Sequence, residues 1–129
     1  MRPLLVVLLL VLALALFGLA ACGTAATSVP SSGAGDAVAG EALLKTNCSS
    51  CHSVQAGVAM TGPSLAGIGT TAGTTVSGMS AEQFLRQSIV DPNAQVTSGF
   101  DKGIMPATFG TQLTTQQIDD LVAYLLTLK

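Results

Sequence analysis

The sequence of 129 residues has few of the side chains that usually carry chemistry. It contains one histidine, one tyrosine, three cysteines and no tryptophan, and only 9% of its residues are charged. Five basic residues against seven acidic ones give a formal net charge of −2. Because nucleic-acid-binding proteins carry a concentrated basic surface, we expect no nucleic-acid partner. A single histidine also leaves too few imidazoles for a metal site that is built from several of them.

An apolar segment near the start of the chain ends close to a cysteine. Residues Leu4–Phe17 form an almost unbroken apolar run behind Arg2. The run is shorter than the roughly 20 residues of a membrane-spanning helix and is typical of a secretory signal peptide. The sequence Leu-Ala-Ala-Cys that ends at Cys22 resembles the bacterial lipobox, so we expect residues 1–21 to be removed and Cys22 to be lipidated. An ordinary cleaved signal and an uncleaved anchor helix are the alternatives.

The next segment has the composition of a flexible tether. Residues 23–35 read GTAATSVPSSGAG, without charge or periodic pattern, as flexible linkers do. We therefore expect a signal peptide in residues 1–21, a lipidated cysteine with its tether in residues 22–35, and one folded domain in residues 36–129. Such a protein would lie outside the cytoplasm, anchored by its lipid to the outer face of the cell membrane or on the periplasmic side.

Three helices can be located in the folded domain by their capping residues. Asp36 is a good N-cap for a first helix that runs up to the cysteines. Ser80 with Gln83 forms a capping box, and Thr114 with Gln117 forms another. These two capping boxes predict the starts of a second and a third helix.

Two long stretches, residues 53–79 and 91–113, separate these helices and show little regular pattern. Loops of this length argue against a compact domain unless something other than protein fills the core. Gly40, inside the first helix, costs about 1 kcal/mol relative to alanine and predicts a close contact with another helix. The sequence therefore predicts an all-α domain, in which three main helices and two long loops pack around a large apolar cofactor.

The sequence Cys48-Ser-Ser-Cys51-His52 indicates which cofactor this is. Cys-x-x-Cys-His is the attachment signature of c-type haem: the two thiols add to the two haem vinyl groups, and the histidine can ligate the iron. Attachment also protects thiols that would otherwise tend to oxidise outside the cytoplasm. A redox-active pair of the thioredoxin type needs a βαβ context, and zinc needs further ligands; the sequence shows neither. We therefore expect one covalently attached haem c.

A sixth iron ligand has to be another residue type, because the chain has no second histidine. The candidates are Met60, Met79 and Met105. Met79 already serves the second helix as a hydrophobic staple, and Met60 lies only eight residues after His52. Met105 lies in the second long stretch, directly before Pro106, which fixes the backbone. Met105 is therefore the favoured ligand, and an open sixth position is the alternative.

With these motifs in order, residues 36–129 resemble a class I cytochrome c of the small bacterial type with one haem. The segment Gly-Pro-Ser-Leu around Pro63 resembles the GPxL segment of this family, and Met105-Pro106 resembles its distal ligand loop. The resemblance implies a cytochrome c-like fold in which the Pro63 carbonyl accepts a hydrogen bond from His52. Many members place a tryptophan near a haem propionate, and this chain has none, so the propionate partners stay open.

The resemblance also implies which residues join the first and last helices. Gly40 and Leu44 resemble the family positions that cross the last helix, where Leu121, Tyr124 and Leu125 resemble their partners. Such a crossing would account for the glycine inside the first helix.

The function implied by the resemblance is that of an electron carrier and not of an enzyme. Iron with two strong axial ligands has no position for oxygen or substrate, and histidine–methionine ligation raises the reduction potential. We expect single-electron transfer between redox complexes of a respiratory or photosynthetic chain, with no small-molecule substrate. A fixed haem subunit of a larger oxidoreductase or oxidase is the alternative, and a haem-based sensor or peroxidase is a weaker one.

Overall fold

A computed structural model describes residues 34–129, and five helices lie in that range. They are α1 (Ala37–Asn47), α2 (Ile68–Thr75), α3 (Ala81–Val90), α4 (Phe109–Gln112) and α5 (Thr115–Thr127). The described part of the chain contains no strand, and the predicted all-α class is confirmed. The expected signal peptide, the lipidation site at Cys22 and all but the end of the tether lie outside the described residues. None of the helices α1–α5 is long and apolar enough to cross a membrane.

The three helices predicted from capping residues begin where they were expected. The Asp36 carboxylate accepts a hydrogen bond from the backbone N–H of Val38 at 2.8 Å. In α3 and α5, the Ser80 or Thr114 hydroxyl accepts from the backbone N–H of the third helical residue, whose side chain accepts from the backbone of the cap. Each cap satisfies N–H groups that lack a partner inside the helix, and a cap contributes about 1 kcal/mol.

The prediction that residues 53–79 lack regular structure is wrong for the part that forms α2. The sequence of α2, IGTTAGTT, is rich in residues of low helix propensity, so the local pattern did not reveal it. Tertiary packing stabilises the helix instead. Gly69 and Ala72 are buried, the Gly69 N–H donates to the Leu128 carbonyl at 2.8 Å, and Lys129 Nζ donates to the Gly69 carbonyl at 2.8 Å. The short α4 similarly lies within the second predicted loop.

The hydrophobic core forms where α5 meets α1, α2 and α3, and its largest helix–helix contact is between α1 and α5. An ion pair between Arg86 and Asp119 also links α3 to α5. The buried apolar residues come from four helices: Leu44, Ala72, Phe84, Leu85, Ile89, Ile118, Leu121, Val122 and Leu125.

The crossing of α1 and α5 depends on Gly40. A Cβ atom at this position would overlap the backbone carbonyl of Asp120 and the Cβ of Tyr124, so the two helix backbones are in direct contact. This is the close contact that the glycine predicted. Since Cys48 is the C-cap of α1, the crossing also sets where the attachment motif lies against the core.

The buried carboxylate of Asp120, in α5, holds the beginning of α1 to α5. Asp120 is 7% exposed and accepts a hydrogen bond from the Asp36 backbone N–H at 2.8 Å. It also accepts from Gln116 Nε2 at 2.9 Å. These bonds satisfy a carboxylate that would otherwise be costly to bury.

Replacing Gly40 by alanine is expected to lower the free energy of unfolding of the haem-loaded protein by about 1–3 kcal/mol, because the new Cβ forces two packed backbones apart. Gly73→Ala is the matched control within α2, since a Cβ there would meet no atom closer than 3.6 Å. It should leave stability unchanged or raise it by up to about 1 kcal/mol. Denaturant unfolding followed by circular dichroism measures both variants, and equal effects would contradict the backbone contact.

Candidate functional site

A large, mainly apolar cavity lies between the helical core and the two long connections. Apolar side chains of α1, α3 and α5 line it together with residues from both connections, among them Pro63, Val96 and Phe100. Among the described residues, Asp101 is the one charged side chain in its lining. Both connections therefore face a shared apolar space, as a large apolar cofactor requires.

The attachment motif lies in the wall of this cavity, where Cys48, Cys51 and His52 all line it. After α1 ends at Cys48, the chain continues in a tight turn. The backbone N–H groups of Cys51 and His52 both donate to the Cys48 carbonyl, at 3.0 and 2.9 Å. This turn places the two thiols and the imidazole beside the same space.

One hydrogen bond and one close contact orient His52. Its Nδ1 lies 2.8 Å from the carbonyl oxygen of Pro63, and because a carbonyl only accepts, Nδ1 carries the proton. The lone pair is therefore left on Nε2, the form in which histidine binds a metal. A Cβ at Gly62 would overlap the His52 ring, so this glycine lets the backbone lie directly against the imidazole.

The Cys48 thiol does not have the lowered pKa of a redox-active cysteine. Burial raises the pKa of the Cys48 thiol above its ordinary value, and the neighbouring Cys51 adds to the rise. A redox-active Cys-x-x-Cys needs a lowered pKa instead. In addition, no three His, Cys, Asp or Glu side chains of residues 34–129 are grouped so as to hold a metal ion. Within residues 34–129, these observations favour neither a redox-active pair of the thioredoxin type nor a zinc site.

The three methionines considered as iron ligands occupy different surroundings. Met105 is half-buried and lines the cavity. Met79 packs against the helical core, and Met60 is 48% exposed; neither of these two lines the cavity. Met105 is thus the one of the three that is placed next to the cofactor space, and its role as a ligand stays a prediction.

The sequence analysis did not identify Asn93, which holds the loop that carries Met105. Its Oδ1 accepts a hydrogen bond from the Gly103 N–H at 2.8 Å, and Asn93 itself lines the cavity. Gly103 has a φ of 82°, which glycine adopts readily. The available signal was the pair Pro92-Asn93, since both residue types favour turns. This bond fixes the backbone two residues before Met105.

The cavity lining contains no lysine or arginine within the described residues. Arg86, which lies outside the lining, is paired with Asp119. The side chains in the lining that can form hydrogen bonds are mostly neutral: Asn47, Ser50, Thr61, Ser88, Asn93, Gln95 and Thr97. Any side-chain donor that the lining offers to a haem propionate is therefore uncharged. In place of a tryptophan, the candidate propionate partners are these neutral hydroxyl and amide groups.

The residues present fit a haem that is attached through two thioethers. Two thiols lie on one wall, the free nitrogen of His52 is available to iron, and the remaining lining is mainly apolar. An all-α domain with this arrangement is that of a c-type haem protein.

The family model for cytochrome c matches residues 37–129, and the chain belongs to the cytochrome c family. Its cofactor is haem c, attached covalently. No curated protein matches the sequence significantly.

Gly62→Ala is expected to displace the His52 ring, because the added Cβ would overlap it. The predicted result is a shifted reduction potential and a loss of about 1–3 kcal/mol in the free energy of unfolding. Redox titration and denaturant unfolding of the haem-loaded protein measure the two quantities, with Gly73→Ala as the control. A potential and stability equal to those of the control would show that Gly62 does not position the histidine.

Met105→Ala is expected to remove the weak far-red absorption band of the ferric protein, lower its potential and open the ferrous iron to carbon monoxide. The physical reason is that a methyl group cannot replace a thioether as a ligand. Met60→Ala is the matched control, since this methionine is exposed, and it should leave the spectrum unchanged. If Met60→Ala lost the band and Met105→Ala kept it, the assignment of the distal ligand would be wrong.

Proposed function

We propose that this cytochrome is a membrane-tethered carrier that moves single electrons between redox complexes of a respiratory or photosynthetic chain. Membership of the cytochrome c family supports a haem-based electron carrier. To this we add a lipid tether, redox complexes as partners and no catalytic activity. The observation that carries it is the placement of His52 and Met105, from separate connections, beside one cavity. With both residues as iron ligands, no position is left for a substrate.

Haem supplies a reversible one-electron change at its iron, and the chain's residues keep the surroundings constant. The hydrogen bond from His52 to Pro63 fixes the imidazole. The bond between Asn93 and Gly103 fixes the loop that precedes Met105. The apolar lining limits access of water, and both burial and ligand identity raise the potential of such a centre.

The end of the tether is fixed on the side of the domain where α1 begins. A Cβ at Gly35 would overlap the Asp119 backbone carbonyl, and the Asp36 N–H is bonded to the Asp120 carboxylate. The attachment motif follows the other end of α1, whose 11 residues span about 16 Å. This separation supports the proposal, because an anchor at one end of α1 leaves the haem side free for partners.

Carbon monoxide binding by the ferrous wild-type protein is the test of the carrier function. We expect no binding at neutral pH, because a carrier with two protein ligands has no free iron position. Rapid binding would instead favour a haem-based sensor or a catalytic haem. Purification of the native protein from membranes would then separate a free carrier, which is recovered alone, from a fixed subunit, which is recovered in a complex.

Cys22→Ser tests the anchor. If a lipid on Cys22 holds the protein, the variant should move from the membrane fraction to the soluble extracytoplasmic fraction while keeping its haem. Cell fractionation with haem staining measures this, and Ser31→Ala within the tether serves as the control. A variant that stayed in the membrane fraction would point to residues Leu4–Phe17 as an uncleaved anchor helix.

A further inference from the structure

The connection that follows His52 is held by hydrogen bonds at several points along its length. They join the Gly62 N–H to the Cys51 carbonyl at 2.8 Å, the Leu65 N–H to the Ser53 carbonyl at 2.8 Å and Ser64 Oγ to the Gln55 carbonyl at 2.7 Å. Together with the bond between His52 and Pro63, they tie this wall of the cavity to the attachment motif. Loss of any one of them leaves the others in place.

The connection that carries Met105 is held in a different way. Among the hydrogen bonds of residues 34–129, one joins residues 95–107, named the Met105 loop here, to another part of the chain. It runs from the Gly103 N–H to Asn93 Oδ1 at 2.8 Å. The bond between the Phe100 N–H and the Thr97 carbonyl, at 3.1 Å, lies within the loop. The position of the Met105 loop therefore depends strongly on a single side chain.

Asn93 projects from a firmly held part of the backbone, directly after α3. The Asp91 N–H donates to the Gln87 carbonyl in the last turn of this helix at 2.8 Å, and the Ala94 N–H donates to the Asp91 carbonyl at 3.1 Å. Pro92 is buried and its ring fixes the backbone. The Asn93 side chain thus links a fixed point on α3 to the Met105 loop.

The Met105 loop has little packing against protein to hold it otherwise. Residues 101–104 are exposed, and Ile104 is 55% exposed. Gly99 and Gly103 have φ values of 89° and 82°, and glycine loses more conformational freedom on ordering than other residues. Segments with few buried contacts and few hydrogen bonds are the ones that open locally. The described structure therefore opens more easily at the Met105 loop than on the side of His52.

We propose that Asn93 is a positioning residue whose hydrogen bond to Gly103 keeps Met105 at the iron, and that release of this bond opens the sixth position. The proposal rests on the proposed carrier function, in which Met105 is an iron ligand. Once the loop is released, the thioether leaves the iron with its electron pair. A small ligand such as cyanide then donates its own pair to the iron. Asn93 thus protects the carrier from binding small molecules.

Cyanide binding to the ferric, haem-loaded protein at neutral pH measures this opening. At high cyanide concentration the rate reaches a limit that is set by release of Met105, so the limiting rate does not depend on the charge of the entering ligand. Asn93→Ala is expected to raise the limiting rate about fivefold, as loss of one neutral hydrogen bond would. Asn93→Asp keeps an acceptor oxygen in the same place and should retain the wild-type limiting rate and far-red band.

Two controls separate positioning of Met105 from a general loss of stability. Ser98 is an exposed residue of the Met105 loop that does not line the cavity, and Ser98→Ala should bind cyanide as the wild type does. Gly40→Ala lowers overall stability at the crossing of α1 and α5 and should leave the limiting rate unchanged. The proposal is overturned if Asn93→Ala has the wild-type limiting rate, or if Gly40→Ala raises the rate as much.

Gly103→Ala tests the same bond from its other partner, even if Asn93→Ala yields no haem-loaded protein. A Cβ at Gly103 would meet no atom within 4 Å, so the alanine strains only the backbone at the bonded N–H. It should also raise the limiting rate. Gly78→Ala is the matched control, because Gly78 has a φ of 79° and equally open surroundings, and it should have no effect. An equal rise in both variants would contradict the proposal.

The double variant shows whether Asn93 acts through Gly103. Asn93→Ala and Gly103→Ala together should raise the limiting rate by less than the product of their separate effects, because both weaken one bond. Effects that multiply fully would overturn the proposal, since Asn93 would then act through another contact, such as a haem propionate. Rapid carbon monoxide binding by the ferrous wild type would contradict the carrier function. Without it, unaltered cyanide binding in the Asn93 and Gly103 variants would contradict this proposal alone.

Discussion

The constraint on which the rest of the structure depends is that residues 34–129 fold around a group that is not protein. Helices α1, α2 and α3 each pack against α5, and parts of both long connections line the cavity. A small domain buries little apolar surface by itself, and a covalently held group supplies what is missing. The same haem thus completes the core and carries the electron, so stability and function cannot be separated at this site.

Two glycines allow the close packing that positions the attachment site. Gly40 brings α1 against the backbone of α5 and so places Cys48 at the edge of the core, and Gly62 lets the chain lie flat against the His52 ring. The hydrogen bond from His52 to Pro63 then fixes which ring nitrogen is free. At both positions a Cβ would occupy space that another group already fills. The glycines are therefore explained by close packing, and neither has a positive φ.

Structural features that depend on interactions between neighbouring residues could be predicted from the sequence. Features that depend on tertiary packing could not. The caps at Ser80 and Thr114, and the attachment motif, act over a few neighbouring residues and could be predicted directly. Helix α2 could not, because it is stabilised by tertiary contacts such as the hydrogen bonds of Gly69 with Leu128 and Lys129 at the end of the chain. Asn93 was missed for the same reason, since its partner lies ten residues further on. The lipid anchor at Cys22 lies outside the described residues and stays a prediction.

Extraction with acid and acetone tests the central claim most directly, because it removes haem that is held only by ligation and packing while thioether bonds survive it. The account predicts that haem stays with the wild-type polypeptide after extraction and is seen by haem staining on a denaturing gel. It also predicts that a protein with both Cys48 and Cys51 replaced by serine yields no stained band. Haem that leaves the wild-type chain, or that stays with the double variant, would contradict covalent attachment at this site.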